Sequence, residues 1–299
     1  MPQVVAVVGP TATGKSTLGI ALAKRIGGEV VNADSMQLYR GMDIGTAKLS
    51  PSERAGVPHH LLDIWDVTQT ASVADYQKRA RTCIDELLGA GVTPVLVGGS
   101  GLYLRAVIDP IEFPGTDPQV RADLKGELAE RGPEALHARL RQLDPATAAA
   151  LSPLNGRKIV RALEVIAITG EPFTAALPSY DDAVYDVVQV GLDIDTATLD
   201  ERLERRIDVM YDGGFEDEVR RLDGEGLRDG VTASRALGYA QLLAVIDGRM
   251  TVAAARADTA RATRRFVRRQ RSWFRRDPRI TWLDGASDPT EEAFRIVAH

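Results

Sequence analysis

The sequence predicts an α/β protein in which a parallel sheet is interrupted by an all-helical insertion. Short all-apolar strand candidates alternate with helical patterns at both ends of the chain, as in parallel sheets that are covered on both faces. Between Asp117 and Gly170, by contrast, the apolar spacing is helical throughout. The 299 residues, of which 44% are hydrophobic, suffice for one large domain or two smaller ones with a substantial core.

The elements follow from runs of apolar residues and from apolar residues spaced three or four apart. The predicted strands are 4–8, 29–33, 61–65, 93–97, 186–194 and 280–283. The predicted helices outside the insertion are 15–25, 73–88, 196–212, 215–223, 234–246, 251–275 and a last one after Pro289. We therefore assign 1–113 and 181–299 to a core domain and 114–180 to a helical insertion domain, with the Pro-containing stretch 171–180 as a connector.

The first strand leads into a glycine-rich loop that matches the phosphate-binding motif G-x-x-x-x-G-K-[ST] and is followed by a helix. The loop consists of Gly9, Pro10, Thr11, Ala12, Thr13, Gly14, Lys15 and Ser16. Its backbone N–H groups and the positive end of the helix favour an anion. Lys15 can contribute charge to terminal phosphate oxygens, and the Ser16 hydroxyl is suited to hold Mg²⁺. The sequence therefore predicts a P-loop NTPase-like core that binds a phosphate.

Asp34 follows the second predicted strand and begins a long polar loop, DSMQLYRGMDIGTAK. In an open α/β sheet this position faces the ligand crevice. Asp34 is the one well-placed acidic candidate for the chemistry of the phosphate site. Its alternative role is that of a turn residue, which caps the local backbone.

A cluster of arginines marks the last long helix. Nine lie between Arg256 and Arg276, in a chain of net charge −5, at positions 256, 261, 264, 265, 268, 269, 271, 275 and 276. Six of them, at 261, 264, 265, 268, 271 and 275, have the spacing of a single helix face. Trp273 and Phe274 are interleaved with them, so the pattern suits a phosphate backbone and stacking on unpaired bases. A solvated helix face is the alternative.

Other sequence features narrow the class of protein. Cys83 is the single cysteine, so an intrachain disulfide and a cysteine-rich zinc site are excluded. The chain has neither a secretory signal pattern nor an apolar run long enough to span a bilayer. We expect a cytoplasmic, monomeric protein without a membrane partner.

Five stretches resemble, in order from Gly9 to Arg276, the tRNA dimethylallyltransferase (tRNA isopentenyltransferase) family. They are GPTATGKS, NADSMQLYRGMDIGTAK, VGGSGLYLRA, RKIVRALEV and RRQRSWFRRD. The block that starts at Asp34 is the most specific. The resemblance implies transfer of a dimethylallyl group from dimethylallyl diphosphate to the N6 amine of the tRNA adenosine on the 3′ side of the anticodon, with release of diphosphate and with Mg²⁺ as cofactor.

The resemblance also implies roles for individual residues. Asp34 would act as general base, Thr11 would lie near the bridging oxygen, and Lys15, Arg206 and the amides of residues 11–16 would stabilise the diphosphate. Contacts with tRNA are implied for Asp34, Ser35, Met36, Gln37, Ser100, Arg121, Arg157, Lys158, Ile159, Val160, Arg161, Ala236, Leu237, Gly238, Tyr239, Gln241, Arg268, Arg269, Gln270, Arg271, Trp273 and Arg275. The helical insertion would hold the anticodon stem-loop through its basic residues.

Two alternatives remain at this point. An adenylate isopentenyltransferase shares the chemistry but acts on free AMP, ADP or ATP, and would need neither the helical insertion nor the arginine helix. A P-loop kinase or RNA-binding NTPase would usually carry a second acidic metal site beyond Asp34, which the sequence does not show.

Overall fold

The computed structural model describes residues 4–173 and 177–298, and its central element is a six-stranded sheet. The strands are β1 (Val4–Val8), β2 (Glu29–Asn32), β3 (His59–His60), β4 (Pro94–Gly98), β5 (Val187–Asp193) and β6 (Ile280–Asp284). Their order is β3-β2-β4-β1-β5-β6, and every neighbouring pair is parallel. The predicted α/β fold with a parallel, P-loop NTPase-like sheet is confirmed.

The described residues form eleven α-helices, and those of the sheet unit cover both faces of the sheet. The helices are α1 (Lys15–Ile26), α2 (Val73–Gly89), α3 (Gly101–Ile108), α4 (Pro118–Leu143), α5 (Pro145–Ala150), α6 (Gly156–Thr169), α7 (Thr196–Asp212), α8 (Phe215–Gly224), α9 (Tyr239–Ile246), α10 (Val252–Phe274) and α11 (Thr290–Ala298), of which α4–α6 lie outside the sheet unit. Strand β1 shows why the strands are apolar throughout. Val4, Ala6 and Val8 pack into one hydrophobic cluster, whereas Val5 and Val7 pack into another. A strand buried on both sides cannot alternate between apolar and polar residues.

Three local predictions differ from the structure. The strand predicted at 61–65 is wrong: the strand is His59–His60, and Leu61 and Asp63 have φ of 59° and 56°, which an extended strand does not allow. The helix predicted from residue 234 is wrong at its start, because Gly238 has φ of 85° and α9 begins only after it. Helix α3, which follows the GGSG stretch, is absent from the predicted elements.

The chain divides into two compact units. Ile111–Ser179 forms one, and the sheet with its helices forms the other; the predicted limits of the insertion are 114 and 180. The smaller unit contains α4, α5 and α6 around a core of its own, with Leu136, Leu140 and Ile159 fully buried. Residues 174–176 of the predicted connector lie outside the described residues. Within the described ranges, no helix has the length and hydropathy needed to cross a bilayer.

Candidate active site

Two adjoining cavities lie at the carboxyl edge of the sheet, where β1, β2 and β4 end. Their volumes are about 310 and 270 Å³. The residues that line both are Thr11, Asp34, Thr46 and Arg206. This edge is where open α/β sheets bind their ligands. The phosphate loop and Asp34, which are far apart in the sequence, are therefore brought to one place.

The phosphate loop forms one wall of the smaller cavity, which we call the polar cavity. Gly9 has φ of 136°, and a Cβ there would lie 2.2 Å from the carbonyl oxygen of Leu192, so only glycine fits. Lys15 opens α1, and its ammonium donates to the carbonyl of Pro10. Burial lowers the pKa of Lys15 to about 8; the carboxylate of Asp34 opposes this shift, and the charge of Arg206 adds to it.

A second partly buried cation, Arg206 on α7, lines both cavities. Its guanidinium donates to the carbonyl of Thr46 at 3.2 Å, and burial lowers its pKa although Asp34 raises it. Among the described residues, neither Lys15 nor Arg206 forms an ion pair with a carboxylate. Both side chains are partly buried. Partial burial of a charge without a partner is costly, so both cations favour the arrival of an anion between them.

Asp34 is held by its own turn. Its N–H donates to Oδ1 of Asn32 at 3.0 Å, and the Asn32 side-chain amide donates back to the carbonyl of Asp34 at 3.1 Å. The N–H of Met36 donates to Oδ1 of Asp34 at 2.9 Å. Within the described part of the chain, Oδ2 accepts no hydrogen bond. The turn role and a chemical role are thus compatible, because one carboxylate oxygen fixes the orientation and the other is available to a ligand.

The larger cavity has mainly apolar walls, and we call it the apolar cavity. Helix α7 contributes Leu203, Ile207 and Met210, and α10 contributes Phe266. Of the residues predicted to contact tRNA, those that line this cavity are Asp34, Ser35, Met36, Ser100, Ala236, Leu237, Tyr239 and Arg269. Apolar walls with a few polar groups suit a flat or aliphatic ligand group.

A loop of residues 42–48 contributes to the lining of both cavities, and a buried carboxylate that we did not predict holds this loop in place. Glu218 accepts the N–H groups of Asp43, Ile44 and Gly45 at 3.1, 2.7 and 3.2 Å, and the hydroxyl of Tyr239 at 2.6 Å. A signal for it exists in the sequence. In helix α8 the buried residues are Phe215, Glu218, Val219 and Leu222, so the acid lies on the apolar face.

Lys48 holds the same loop from its other end, and the sequence does not single it out either. Its side chain is 3% exposed and donates to the carbonyl of Tyr39 and to the carboxylates of Asp43 and Asp63. Gln37, which lines the polar cavity, donates to the carbonyls of Thr46 and Ala47. The loop of residues 42–48 is therefore fixed mainly through hydrogen bonds to its backbone.

Two predicted tRNA contacts of α10 do not fit the structure. Gln270 is 5% exposed; it accepts the N–H of Thr11 at 3.0 Å and donates to the carbonyl of Gly99 at 2.9 Å. The N–H of Thr11 is thus engaged within the chain, so the predicted hydrogen bond from this one amide to the diphosphate does not fit the structure. The predicted position of Thr11 near the bridging oxygen stays a prediction. Arg271 pairs with Asp193 at 2.8 Å, so its charge is neutralised within the chain.

The six-arginine face is also divided by acids that the sequence does not associate with it. Arg264 pairs with Asp200 and Glu204 of α7, and Arg261 pairs with Asp258. Arg275 is exposed but reaches Asp193. In the described ranges, the arginines of this helix region that form no ion pair are 265, 268, 269 and 276, and all four are exposed or partly exposed. Trp273 is half-buried against the core rather than free for stacking.

The cations of the helical unit that we predicted to contact tRNA differ in whether they are paired with an acid. Arg121 and Arg161 both bind the fully buried carboxylate of Glu164, at 2.7 and 3.0 Å. Burial acts to raise the pKa of Glu164, but these hydrogen bonds and charges outweigh it and lower that pKa. Ile159 and Val160 lie in the core of the unit, which corrects their predicted contact with tRNA.

Arg157 and Lys158, by contrast, are exposed at the start of α6. In the sheet unit, Tyr239 is buried, and Gln241 donates to Asp258 and accepts the N–H of Gly238. The predicted tRNA residues therefore differ in their surroundings. Some line the apolar cavity, Gln37 lines the polar cavity, and others are exposed cations without an ion pair in the described chain. The rest are buried, half-buried or engaged in ion pairs and hydrogen bonds within the chain.

The residues that could hold a metal ion are few. Ser16 lies at the polar cavity, as predicted for a ligand of Mg²⁺. Across the described residues there is no group of three or more His, Cys, Asp or Glu side chains that could bind a metal. Mg²⁺ usually keeps several waters and binds through one or two protein groups and substrate phosphates, which agrees with this sparse donor set.

The chain resembles proteins of one family along nearly its whole length. The sequence model of that family, IPP transferase, matches residues 37–277. The chain is 65% identical to a tRNA dimethylallyltransferase of Streptomyces coelicolor, over 97% of this chain and 93% of the relative. It is 62% identical to one of Thermobifida fusca, over 99% and 95% of the two chains.

Solved structures show the same likeness. The crystal structure of a tRNA isopentenylpyrophosphate transferase from Bacillus halodurans is 40% identical, with a TM-score of 0.73 and coverage of 99% of this chain and 94% of the other. A eukaryotic dimethylallyltransferase that acts on tRNA shares the fold at 24% identity, with a TM-score of 0.85 and coverage of 100% and 78%.

Proposed function

The chain belongs to the IPP transferase family, and we propose that it transfers a dimethylallyl group from dimethylallyl diphosphate to the N6 amine of the tRNA adenosine on the 3′ side of the anticodon. One observation carries the proposal. A polar cavity with two partly buried cations that form no ion pair in the described chain meets a mainly apolar cavity at the carboxylate of Asp34. A leaving diphosphate and an acceptor base need such a pair of sites, open on either side of a proton acceptor.

The diphosphate would bind in the polar cavity. Lys15 and Arg206 supply positive charge in a partly buried setting, where electrostatic stabilisation is stronger than in bulk water. The loop amides that follow Thr11 and the start of α1 add hydrogen-bond donors. Thr11 lines both cavities, as expected of a residue beside the bond that breaks.

The acceptor amine would approach Asp34 from the apolar cavity. Nitrogen forms a bond to C1 of the dimethylallyl group while the bond from C1 to the diphosphate oxygen breaks, and its electron pair leaves with the diphosphate. The proton of the amine passes to Oδ2 of Asp34, the oxygen without a hydrogen bond in the described chain, and from there to solvent. Because the amine lone pair is delocalised into adenine, removal of this proton assists the attack.

The residues of the polar cavity suit an Mg²⁺ ion that binds together with the diphosphate. Ser16 would hold it together with phosphate oxygens and water, since the described residues offer no larger ligand set. When bound, the ion would neutralise charge on the leaving group. The residues of the chain itself would orient the diphosphate and accept the amine proton.

The tRNA would be held by exposed cations, and we propose that the protein acts as a monomer. Arg268 and Arg269 on α10, and Arg157 and Lys158 on α6, are exposed and available to phosphates. An enzyme for free adenine nucleotides would not need these exposed cations on two units. Light scattering of the protein with and without tRNA should give the mass of one chain in each particle.

The proposal is tested with labelled dimethylallyl diphosphate, Mg²⁺ and unmodified tRNA. Label should appear in the tRNA at the adenosine beside the anticodon, and not in AMP supplied at the same concentration. Transfer to AMP alone would favour an enzyme for free nucleotides. Label that stays in the diphosphate fraction with both acceptors would contradict the proposal.

The variant Asp34→Asn tests the role of Asp34 as proton acceptor separately from the binding of tRNA. Turnover should fall by about 10²–10⁴-fold, the usual contribution of a general base, with tRNA affinity unchanged. The substitution keeps the acceptor oxygen for the N–H of Met36. An unchanged turnover number would remove Asp34 from the mechanism.

A further inference from the structure

We propose that Gln270 is a positioning residue. Its side-chain amide fixes the position of the phosphate loop relative to the end of strand β4, and it connects that loop to the arginine helix α10. This inference rests on the proposed function. It gives Gln270 a role different from contact with tRNA.

The geometry of the amide is specific. Oε1 accepts the N–H of Thr11 at 3.0 Å, and Nε2 donates to the carbonyl of Gly99 at 2.9 Å. Thr11 belongs to the loop after β1, and Gly99 follows β4, the neighbouring strand whose Gly98 is in register with Val8. One side chain therefore joins the two strand ends that face the ligand.

The contact is also close. Gly99 has no side chain, and a Cβ there would lie 2.5 Å from Nε2 of Gln270. The site requires an acceptor for Thr11 and a donor for Gly99 at once. A glutamine amide offers both, whereas an ionised carboxylate only accepts and an ammonium only donates. Burial makes each missing partner costly.

The hydrogen bond to Gln270 also fixes the position of Thr11. Because the N–H of Thr11 donates to Gln270, Thr11 is held at the point where the two cavities meet. The neighbours of Gln270 on α10 have the opposite exposure: Arg268 and Arg269 are exposed and without ion pairs in the described chain. One helix thus presents cations on its surface and holds the reacting end of the phosphate loop with its buried face.

Kinetics of variants at two nearby positions of α10 test whether its buried face serves the donor site and its exposed face serves tRNA. Gln270→Met keeps the size of the side chain and removes both hydrogen bonds; kcat/KM for dimethylallyl diphosphate should fall by about 10²-fold, while the Kd of tRNA stays the same. Arg268→Gln should raise the Kd of tRNA and leave the KM of dimethylallyl diphosphate unchanged. A Gln270→Met protein with weaker tRNA binding and unaltered donor kinetics would overturn the proposal.

Gln270→Glu supplies a readout that a merely structural role would not change. A protonated glutamic acid matches glutamine, with one acceptor and one donor, but the carboxylate cannot donate to Gly99. The activity of Gln270→Glu relative to wild type should therefore rise as the pH is lowered and fall as the pH is raised. A ratio that stays constant with pH would overturn the proposal. Wild-type transfer to tRNA is measured in the same series, so a failure of the proposed function is recognised separately.

Discussion

The phosphate loop with Arg206 and the arginine helix α10 both present cations, but they use them differently. Around the loop, two cations, Lys15 and Arg206, are partly buried and have no carboxylate partner in the described chain. Along α10 the cations are numerous, yet Arg261, Arg264 and Arg271 are paired with acids. Four arginines of the helix region, 265, 268, 269 and 276, also form no ion pair in the described chain, but they are exposed, whereas the two cations near the loop are partly buried. Water and salt screen partly buried charges less, so each cation near the loop should contribute more to the binding of an anion than an exposed arginine does. The count of arginines in a sequence is thus a poor measure of binding strength.

The largest effect on activity should come from removing one of the two partly buried cations. Lys15→Met or Arg206→Met should lower kcat/KM for dimethylallyl diphosphate by about 10²–10³-fold, the usual cost of one preorganised group at a developing charge. Steady-state kinetics at saturating tRNA measure it. A decrease of less than about 3-fold, which is typical of exposed ion pairs, would mean that burial does not strengthen these charges.

A smaller effect follows from the lowered pKa of Lys15, which is about 8 because of burial. Lys15 is charged below that pH and neutral above it, while the diphosphate, with its last pKa at about 6, stays ionised. Affinity for dimethylallyl diphosphate, measured without tRNA by calorimetry, should thus be highest below about pH 8 and fall by up to about tenfold per unit above it. Lys15→Met should remove this dependence; if it persists, another group is responsible.

Loss of an exposed arginine should weaken tRNA binding modestly, by an amount that depends on the salt concentration. Arg268→Gln should reduce the slope of log Kd for tRNA against log salt by about 1, as expected for one lost phosphate contact. Filter binding at several salt concentrations measures the slope. An unchanged slope would show that Arg268 does not contact phosphate.

The smallest effect is expected for a paired arginine of the same helix. Arg264→Gln removes a cation that Asp200 and Glu204 already neutralise. Its tRNA affinity and salt slope should match those of the wild type, so it serves as the matched control for Arg268→Gln. A slope changed as much as that of Arg268→Gln would mean that ion pairs within the chain open when tRNA binds.

Much of the fold could be predicted because it depends on local pattern. Buried parallel strands such as β1 are apolar throughout, and Thr196–Asp212 has the predicted limits because its apolar spacing is regular. The strand predicted at 61–65 failed because an apolar run also occurs in a turn that packs on the core, where Leu61 and Ile64 are half-buried. Burial alone does not specify an extended backbone.

The residues of the candidate site also fall into those that the sequence could reveal and those that it could not. The phosphate loop and Asp34 could be found because each is a local motif at a strand end. Gln270 could not be placed, since its partner Thr11 lies 259 residues away in the chain, and only the fold brings them together. Glu218 is intermediate: its position on the apolar face of α8 was visible, but not the backbone N–H groups that it binds.

The order of the strands has a consequence for the synthesis of this protein. β1 lies between β4 and β5, and Val4 pairs with Val187. The helical unit Ile111–Ser179 is translated between β4 and β5. A chain emerging from the ribosome can pair β1 with β4 early, but the other edge of β1 stays open until β5 has been made. That edge consists of valine and alanine, the kind of segment that associates with other chains. Nascent chains stalled before residue 187 should therefore be bound by chaperones, and those that include β5 should be released.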